Sequence, residues 1–123
     1  MADIAHQLAQ PILHVEDALR RLAAAKVIAL APGSLHIWMA HPFSALPTAY
    51  PVRTADQVYW ANCAWDALGI PALLGVDSET TTHCPASGTP LSMQVKGGEA
   101  YSTAGVIHFA VPPRRFWDDI GFT

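Results

Sequence analysis

Apolar and polar positions near the start of the chain recur with the period of a helix. The apolar positions lie three to four residues apart, at Ile12, Val15, Leu19 and Leu22. The charged residues between them fall on the opposite face, which is the pattern of a helix that lies on a core. The sequence therefore predicts an amphipathic helix over 11–26.

Two short apolar runs come next, at 27–30 and 35–39, and Pro32, Gly33 and Ser34 lie between them. Short apolar runs on either side of such residues are typical of two strands joined by a turn. A helix followed by a hairpin is how a winged-helix unit ends. We therefore predict a partial winged-helix-like N-terminal region over 1–40.

The segment from His41 to Pro51 is rich in proline. Proline removes a backbone donor and fixes φ, so the segment cannot be a regular helix or a central strand. We expect an ordered, extended loop in which Phe43 and Tyr50 pack on the core. Either ring could also line an apolar pocket over Cys63.

The stretch between Tyr59 and Gly75 is rich in Ala, Leu and Trp and predicts a helix. Gly69 and Pro71 are residues that commonly mark a helix C-terminus. Two starts are compatible with the sequence. The helix begins either at about 58–60 or at a capping box formed by Thr54 and Gln57.

Cys63 and Asp66 lie three residues apart within this predicted helix. Residues at this spacing share one helix face. If the helix begins near 58–60, Cys63 lies in its first turns, where the partial positive charge favours a thiolate. A buried structural cysteine beside a carboxylate is the alternative, because cysteine is often buried for packing alone.

The pattern after Pro71 changes to that of strands. We predict strands at 80–84, 91–95 and 105–111, separated by turns at 85–88 and 96–99. Successive hairpins give an antiparallel sheet on which the central helix can pack. The predicted fold class is α+β, and 41–123 forms the core that follows the N-terminal region.

Composition narrows the classes of function. The chain has 123 residues, of which 51% are hydrophobic and 14% charged, with a net charge of −3. No basic surface for nucleic acid or an anionic membrane is predicted, so a DNA-binding role for the winged-helix-like region is disfavoured. No apolar run is long enough to span a bilayer, and no signal peptide is recognisable, so we expect a cytoplasmic protein with two free thiols.

Other common sites are absent from the pattern. His83, Cys84 and Pro85 resemble half of a zinc knuckle, but no second cysteine completes it, and the six histidines show no ligand spacing. The glycines at 97–98 belong to a hairpin turn and not to a phosphate-binding loop. No Gly-x-Ser-x-Gly elbow is present.

Taken together, the motifs resemble those of the alkylmercury lyase (organomercurial lyase) family. The resemblance covers roughly Val15 to the C-terminus and rests on segments that occur in the order and spacing of that family. These segments are His41-Pro42-Phe43-Ser44 with Pro47-Thr48, Trp60 to Gly75 with the Cys63-x-x-Asp66 pair, and His83-Cys84-Pro85-Ala86-Ser87-Gly88-Thr89-Pro90.

The resemblance implies protonolytic cleavage of a carbon–mercury bond, which gives a hydrocarbon and Hg(II). It assigns Cys63 as the mercury ligand and Asp66 as the proton carrier, whereas Cys84 matches a cysteine with a structural role. Thiolates suit this chemistry because sulfur ligands select soft metals. The implied partner is an organomercurial small molecule, with no resident cofactor and with Hg(II) as product.

The second catalytic cysteine of the family is expected directly after 114–123, where the sequence ends. We therefore expect either a piece of a longer protein or a short relative without two-thiol chemistry, so that an external small thiol is needed for turnover. A non-catalytic thiol-based module that binds or senses a metal or small ligand is the alternative function. Loss of a sheet strand would leave an edge through which the chain could form a homo-oligomer.

Overall fold

The computed structural model describes residues 1–102 and 105–121. The chain divides into two compact units, Met1–Ala40 and His41–Thr123. Each unit has its own cluster of buried apolar residues. In the described part of the chain, no helix is long and apolar enough to cross a membrane.

The first unit consists of two helices and a hairpin. Helix α1 spans Ala2–Gln7 and helix α2 spans Ile12–Ala24, and strands β1 (Ala29–Leu30) and β2 (Ile37–Ala40) pair antiparallel. The predicted helix and hairpin are therefore present, whereas α1 was not predicted. The core of the first unit contains Ala5, Val15, Leu19 and Ile28. The winged-helix identity of this unit stays a prediction.

The second unit contains a five-stranded sheet in the order β5-β4-β6-β7-β8. All of its neighbouring strands pair antiparallel. The strands are β4 (Pro51–Arg53), β5 (Val58–Trp60), β6 (Ser78–His83), β7 (Pro90–Lys96) and β8 (Glu99–Ser102). A further short strand, β3 (Phe43–Ser44), lies beside β5, because Phe43 forms a bridge with Ala61.

Helix α3 (Ala64–Leu74) packs on β4 and β7. The buried cluster at this contact contains Val52, Ala61, Ala67, Ile70 and Met93. Phe43 and Tyr50 pack against the same cluster, as the sequence predicted. This contact fixes the N-terminal end of α3 against the sheet.

Both predicted starts of the central helix are wrong. The residues at 58–60 form β5, and α3 begins only at Ala64. The Thr54 hydroxyl does bond to the backbone of Gln57, but in the turn that joins β4 and β5. The predicted end is also wrong, since the helix continues through Pro71 to Leu74 and is capped by Gly75 in the left-handed conformation, with φ of 66°.

The third predicted strand is wrong as well. Gly97 and Gly98 both have positive φ and form a tight turn, so the chain turns back at once into β8. Residues 105–111 form no strand, and Val106 is 94% exposed. A 3-10 helix follows over Pro113–Asp118. A strand is disfavoured there because Pro112 and Pro113 have no N–H to donate to a neighbouring strand.

Candidate active site

Cys63 is the N-cap residue of α3. Its backbone is extended, with φ of −149° and ψ of 179°, because it lies between the last residues paired with the sheet and the first helical residue. The side chain is half-buried and the thiol is free. The thiol thus lies at the positive end of the helix, one residue outside its first turn.

The surroundings of the Cys63 thiol act on its pKa in opposite directions. Burial raises the pKa most. The nearby backbone N–H groups of Asp66 and Trp65 favour the thiolate and lower the pKa, while the Asp66 carboxylate raises it by its charge and by accepting a hydrogen bond from the thiol. The net effect is a raised pKa, so burial outweighs the favourable effect of the helix terminus on the thiolate. At neutral pH the protonated thiol prevails.

Asp66 occupies the first turn of α3, and its side chain is partly buried. It contacts the thiol with both its backbone and its carboxylate. An N-cap residue and the third helical residue are brought together in the same way in a capping box. The structure therefore brings Cys63 and Asp66 together, although through a helix terminus and not along one helix face.

Asn62 is a neighbour that the sequence did not indicate. Its Nδ2 donates to the Pro42 carbonyl at 3.1 Å and lies 3.4 Å from His41 Nδ1. Its Oδ1 is buried and has no hydrogen-bond partner among the described residues. Asn62 thereby fixes the start of the proline-rich loop beside Cys63, and it leaves one buried acceptor there.

Tyr50 connects the two cysteines electrostatically. Burial raises the pKa of its hydroxyl most, and the charges of Cys63 and Cys84 raise it further. The tyrosine backbone is held by Ala61, whose N–H donates to the Tyr50 carbonyl at 3.0 Å. Thr48 Oγ1 accepts a hydrogen bond from the Tyr50 N–H. The sequence offered Tyr50 as a residue that could lie over Cys63, but it did not indicate that Cys84 lies near enough to act on the same hydroxyl.

Cys84 follows β6 and is a free, partly exposed thiol. A turn closes beyond it, since the Gly88 N–H donates to its carbonyl and its own N–H donates to Thr89. The pKa of Cys84 is lowered by groups that donate to its sulfur. The Ser87 hydroxyl has the largest effect, followed by the backbone N–H groups of Ser87 and Ala86. The two thiols therefore have opposite shifts.

An aromatic cluster lies beside the start of α3. The rings of Trp65 and Phe109 are 6.1 Å apart between centroids and inclined at 64°, and those of Phe109 and Phe116 are 5.3 Å apart. A second ring contact joins His41 to Trp117 at 5.8 Å. The segment after β8 thus contacts both α3, through Trp65, and the start of the proline-rich loop, through His41.

Among the described residues, no group of three or more His, Cys, Asp or Glu side chains could hold a metal ion. The arrangement at Cys63 is instead a single thiol with a carboxylate in hydrogen-bonding contact. Such a pair can bind a thiophilic group and exchange one proton.

A family model described as MerB, alkylmercury lyase, matches residues 43–123, which is well over half of the chain. The chain belongs to the alkylmercury lyase family. The match contains Cys63, Asp66 and Cys84, and it confirms the resemblance inferred from the motifs.

The fold agrees with this assignment. The crystal structure of the mercury-bound form of MerB2 aligns with a TM-score of 0.67 and 21% sequence identity. The alignment covers 83% of this chain and 50% of that chain, so this alkylmercury lyase family member spans about half of the solved relative. The predicted α+β class is confirmed, since both proteins combine helices with antiparallel strands.

Proposed function

We propose that this protein cleaves the carbon–mercury bond of organomercurials by protonolysis, with Cys63 as the mercury ligand and Asp66 as the proton carrier. Family membership supports the reaction class. The observation that supports these two roles is the contact at the start of α3, where the Cys63 thiol meets the backbone N–H and the carboxylate of Asp66.

The raised pKa of Cys63 gives the proton a defined route. When the mercurial binds, a sulfur–mercury bond forms and the thiol loses its proton. The Asp66 carboxylate, which already accepts a hydrogen bond from the thiol, takes that proton. The carboxylate then becomes the acid that the next step needs.

In the second step, Asp66 gives this proton to the carbon bound to mercury. The carbon–mercury bond breaks, the hydrocarbon leaves, and Hg(II) stays on the Cys63 sulfur while Asp66 returns to the carboxylate. No oxidant or reductant is needed, because the electron pair of the broken bond binds the proton. A positioned acid contributes about 10²–10⁴-fold to such a step.

An external small thiol completes the cycle in this proposal. It supplies the second sulfur ligand, since Hg(II) is soft and thiolates bind it in preference to oxygen ligands. Thiolate exchange then transfers Hg(II) from Cys63 to the small thiol and restores the free cysteine. Cys84 is given no part in the reaction.

The test is release of benzene from phenylmercury in excess glutathione by the wild-type chain and by Cys63→Ser and Asp66→Asn. We expect release by the wild type, none above background for Cys63→Ser, and a loss of about 10²–10⁴-fold for Asp66→Asn. The matched controls are Cys84→Ser and Asp56→Asn, which remove a second thiol and an exposed carboxylate and are expected to keep wild-type activity.

Equal release by all variants would refute both assigned roles. Tight one-to-one binding of phenylmercury through Cys63 without benzene would refute catalysis and favour the alternative, a thiol-based module that binds or senses a metal or small ligand. Cytoplasmic location and homo-oligomer formation remain predictions from the sequence.

A further inference from the structure

Trp65 joins the aromatic cluster to the reacting thiol. It is the second residue of α3, two positions after Cys63, and its backbone N–H lies near enough to the Cys63 sulfur to lower the pKa of the thiol. Its indole ring packs edge-on against Phe109, which in turn packs against Phe116. A single residue therefore contacts the thiol through its backbone and forms one end of the cluster through its side chain.

The cluster is not a filled core. Trp65 is 58% exposed and Phe109 is 37% exposed, although large aromatic side chains gain most when they are covered. Neither ring belongs to the buried cluster between α3 and the sheet. Exposed aromatic surface is thus present at the second residue of α3, two positions after the only thiol that the reaction uses.

We propose that Trp65, Phe109 and Phe116 form the subsite for the organic group of the substrate, and that they make the site selective for aryl over methyl mercurials. This inference rests on the proposed function, since it needs mercury bound at Cys63. A flat aryl group attached to that mercury can pack against the open faces of Trp65 and Phe109.

The physical basis is the geometry of aromatic pairs. Rings pack favourably edge-to-face or offset at centroid distances of about 4.5–7 Å, and the existing pairs in the cluster already lie in that range. A methyl group has no ring and little apolar area, so it gains almost nothing from the same surface. One such pair corresponds to about 3- to 10-fold in affinity.

A competition experiment tests the subsite without requiring turnover. Phenylmercury or methylmercury is partitioned between glutathione and the Cys84→Ser, Asp66→Asn chain, in which Cys63 is the sole thiol and cleavage is slowed, and protein-bound mercurial is measured by native mass spectrometry. We expect Trp65→Ala and Phe109→Ala each to weaken phenylmercury binding about 3- to 10-fold with methylmercury binding unchanged. Trp65→Phe, which keeps a ring, is expected to retain most of the preference.

Tyr101→Ala is the matched control, because Tyr101 is an aromatic residue on β8 that is 56% exposed and takes no part in the cluster. It is expected to change neither ligand. Equal weakening of both mercurials, or no change in either, would overturn the subsite. The proposed function fails separately if a chain lacking both cysteines takes up mercurials as well as the Cys84→Ser, Asp66→Asn chain does.

Discussion

Thr80 offers a direct test of the packing beneath the site. The residue lies on β6, is 1% exposed, and has a buried hydroxyl without a hydrogen-bond partner among the described residues. A buried polar group left unpaired costs about 1–3 kcal/mol relative to a paired one. Valine has nearly the same shape and lacks the hydroxyl, so Thr80→Val is expected to raise the free energy of unfolding by about 1–2 kcal/mol.

The neighbouring strand positions provide the control. Thr81 is exposed on the opposite face of β6, so Thr81→Val makes the same change in chain propensity without removing a buried hydroxyl. Thr82 is 5% exposed and also lacks a partner among the described residues, so Thr82→Val is expected to behave like Thr80→Val. The alternation of effects along one strand isolates the buried hydroxyl as the cause.

The assay is urea unfolding followed by far-ultraviolet circular dichroism. With a slope of about 1–3 kcal/mol per molar urea, the expected gain moves the midpoint of Thr80→Val upward by about 0.5–1 M at an unchanged slope. Thr81→Val is expected to move it by less than about 0.3 M, because exposed substitutions usually change stability by under about 0.5 kcal/mol. A lower midpoint for Thr80→Val would refute the reasoning, since it would mean that the hydroxyl is satisfied.

Three further outcomes are expected. The pKa of Cys84 is lowered and that of Cys63 is raised, so iodoacetamide at pH 7 should alkylate Cys84 first. Ser87→Ala should slow the alkylation of Cys84, because it removes the largest cause of the lowered pKa. Peptide mass spectrometry measures both reactions. Asp66→Asn removes the charge that opposes the thiolate, so the pH profile of Cys63 alkylation should move to lower pH; a shift upward would contradict the assigned contact. Gly75→Ala should cost about 1 kcal/mol in urea unfolding, because φ is positive there and a Cβ would meet no atom within 4 Å, so only backbone strain is added.

Local patterns were enough to predict β6, β7 and the turn that follows them, but not β8. The strands at β6 and β7 and the turn at 96–99 depend on residues close together in sequence, with two glycines where positive φ is required. A turn with positive φ at both central positions is the form that matches the twist of paired strands. Because this turn is so tight, the residues directly after it, 99–102, pair with β7 as β8. The prediction of a strand at 105–111 was wrong because it left too many residues between the two strands.

The start of the helix could not be decided from the period of apolar residues alone. The run at 58–60 is apolar and short, and such a run fits a strand or a helix equally well from its period alone. Residues 58–60 form a strand because they pair with residues 51–53 of β4. The Thr54–Gln57 contact shows the same ambiguity, because a side chain can bond to a nearby backbone in a turn as well as at a helix start.

Pro71 shows how packing outweighs a local signal. Proline inside a helix usually costs about 3 kcal/mol, so the sequence predicts that the helix ends near Pro71. Here its ring is fully buried beside Ile70 in the centre of the contact between α3 and the sheet. The apolar surface buried by these residues offsets the lost hydrogen bond, so the helix ends three residues later, at Leu74, and the glycine that follows caps it with positive φ.

The same division between local and distant contacts applies to the site. Cys63 and Asp66 could be predicted because three residues separate them, and both a helix face and a helix cap bring such residues together. The pKa of Cys63 could not, because its largest cause is burial by residues from other parts of the chain. A helix terminus alone would have favoured a standing thiolate, ready to bind any soft metal. Burial and Asp66 instead keep the proton on the thiol. Before substrate binds, the site therefore already contains the proton that protonolysis consumes. The pH profile of Asp66→Asn measures how strongly Asp66 contributes to keeping that proton on Cys63.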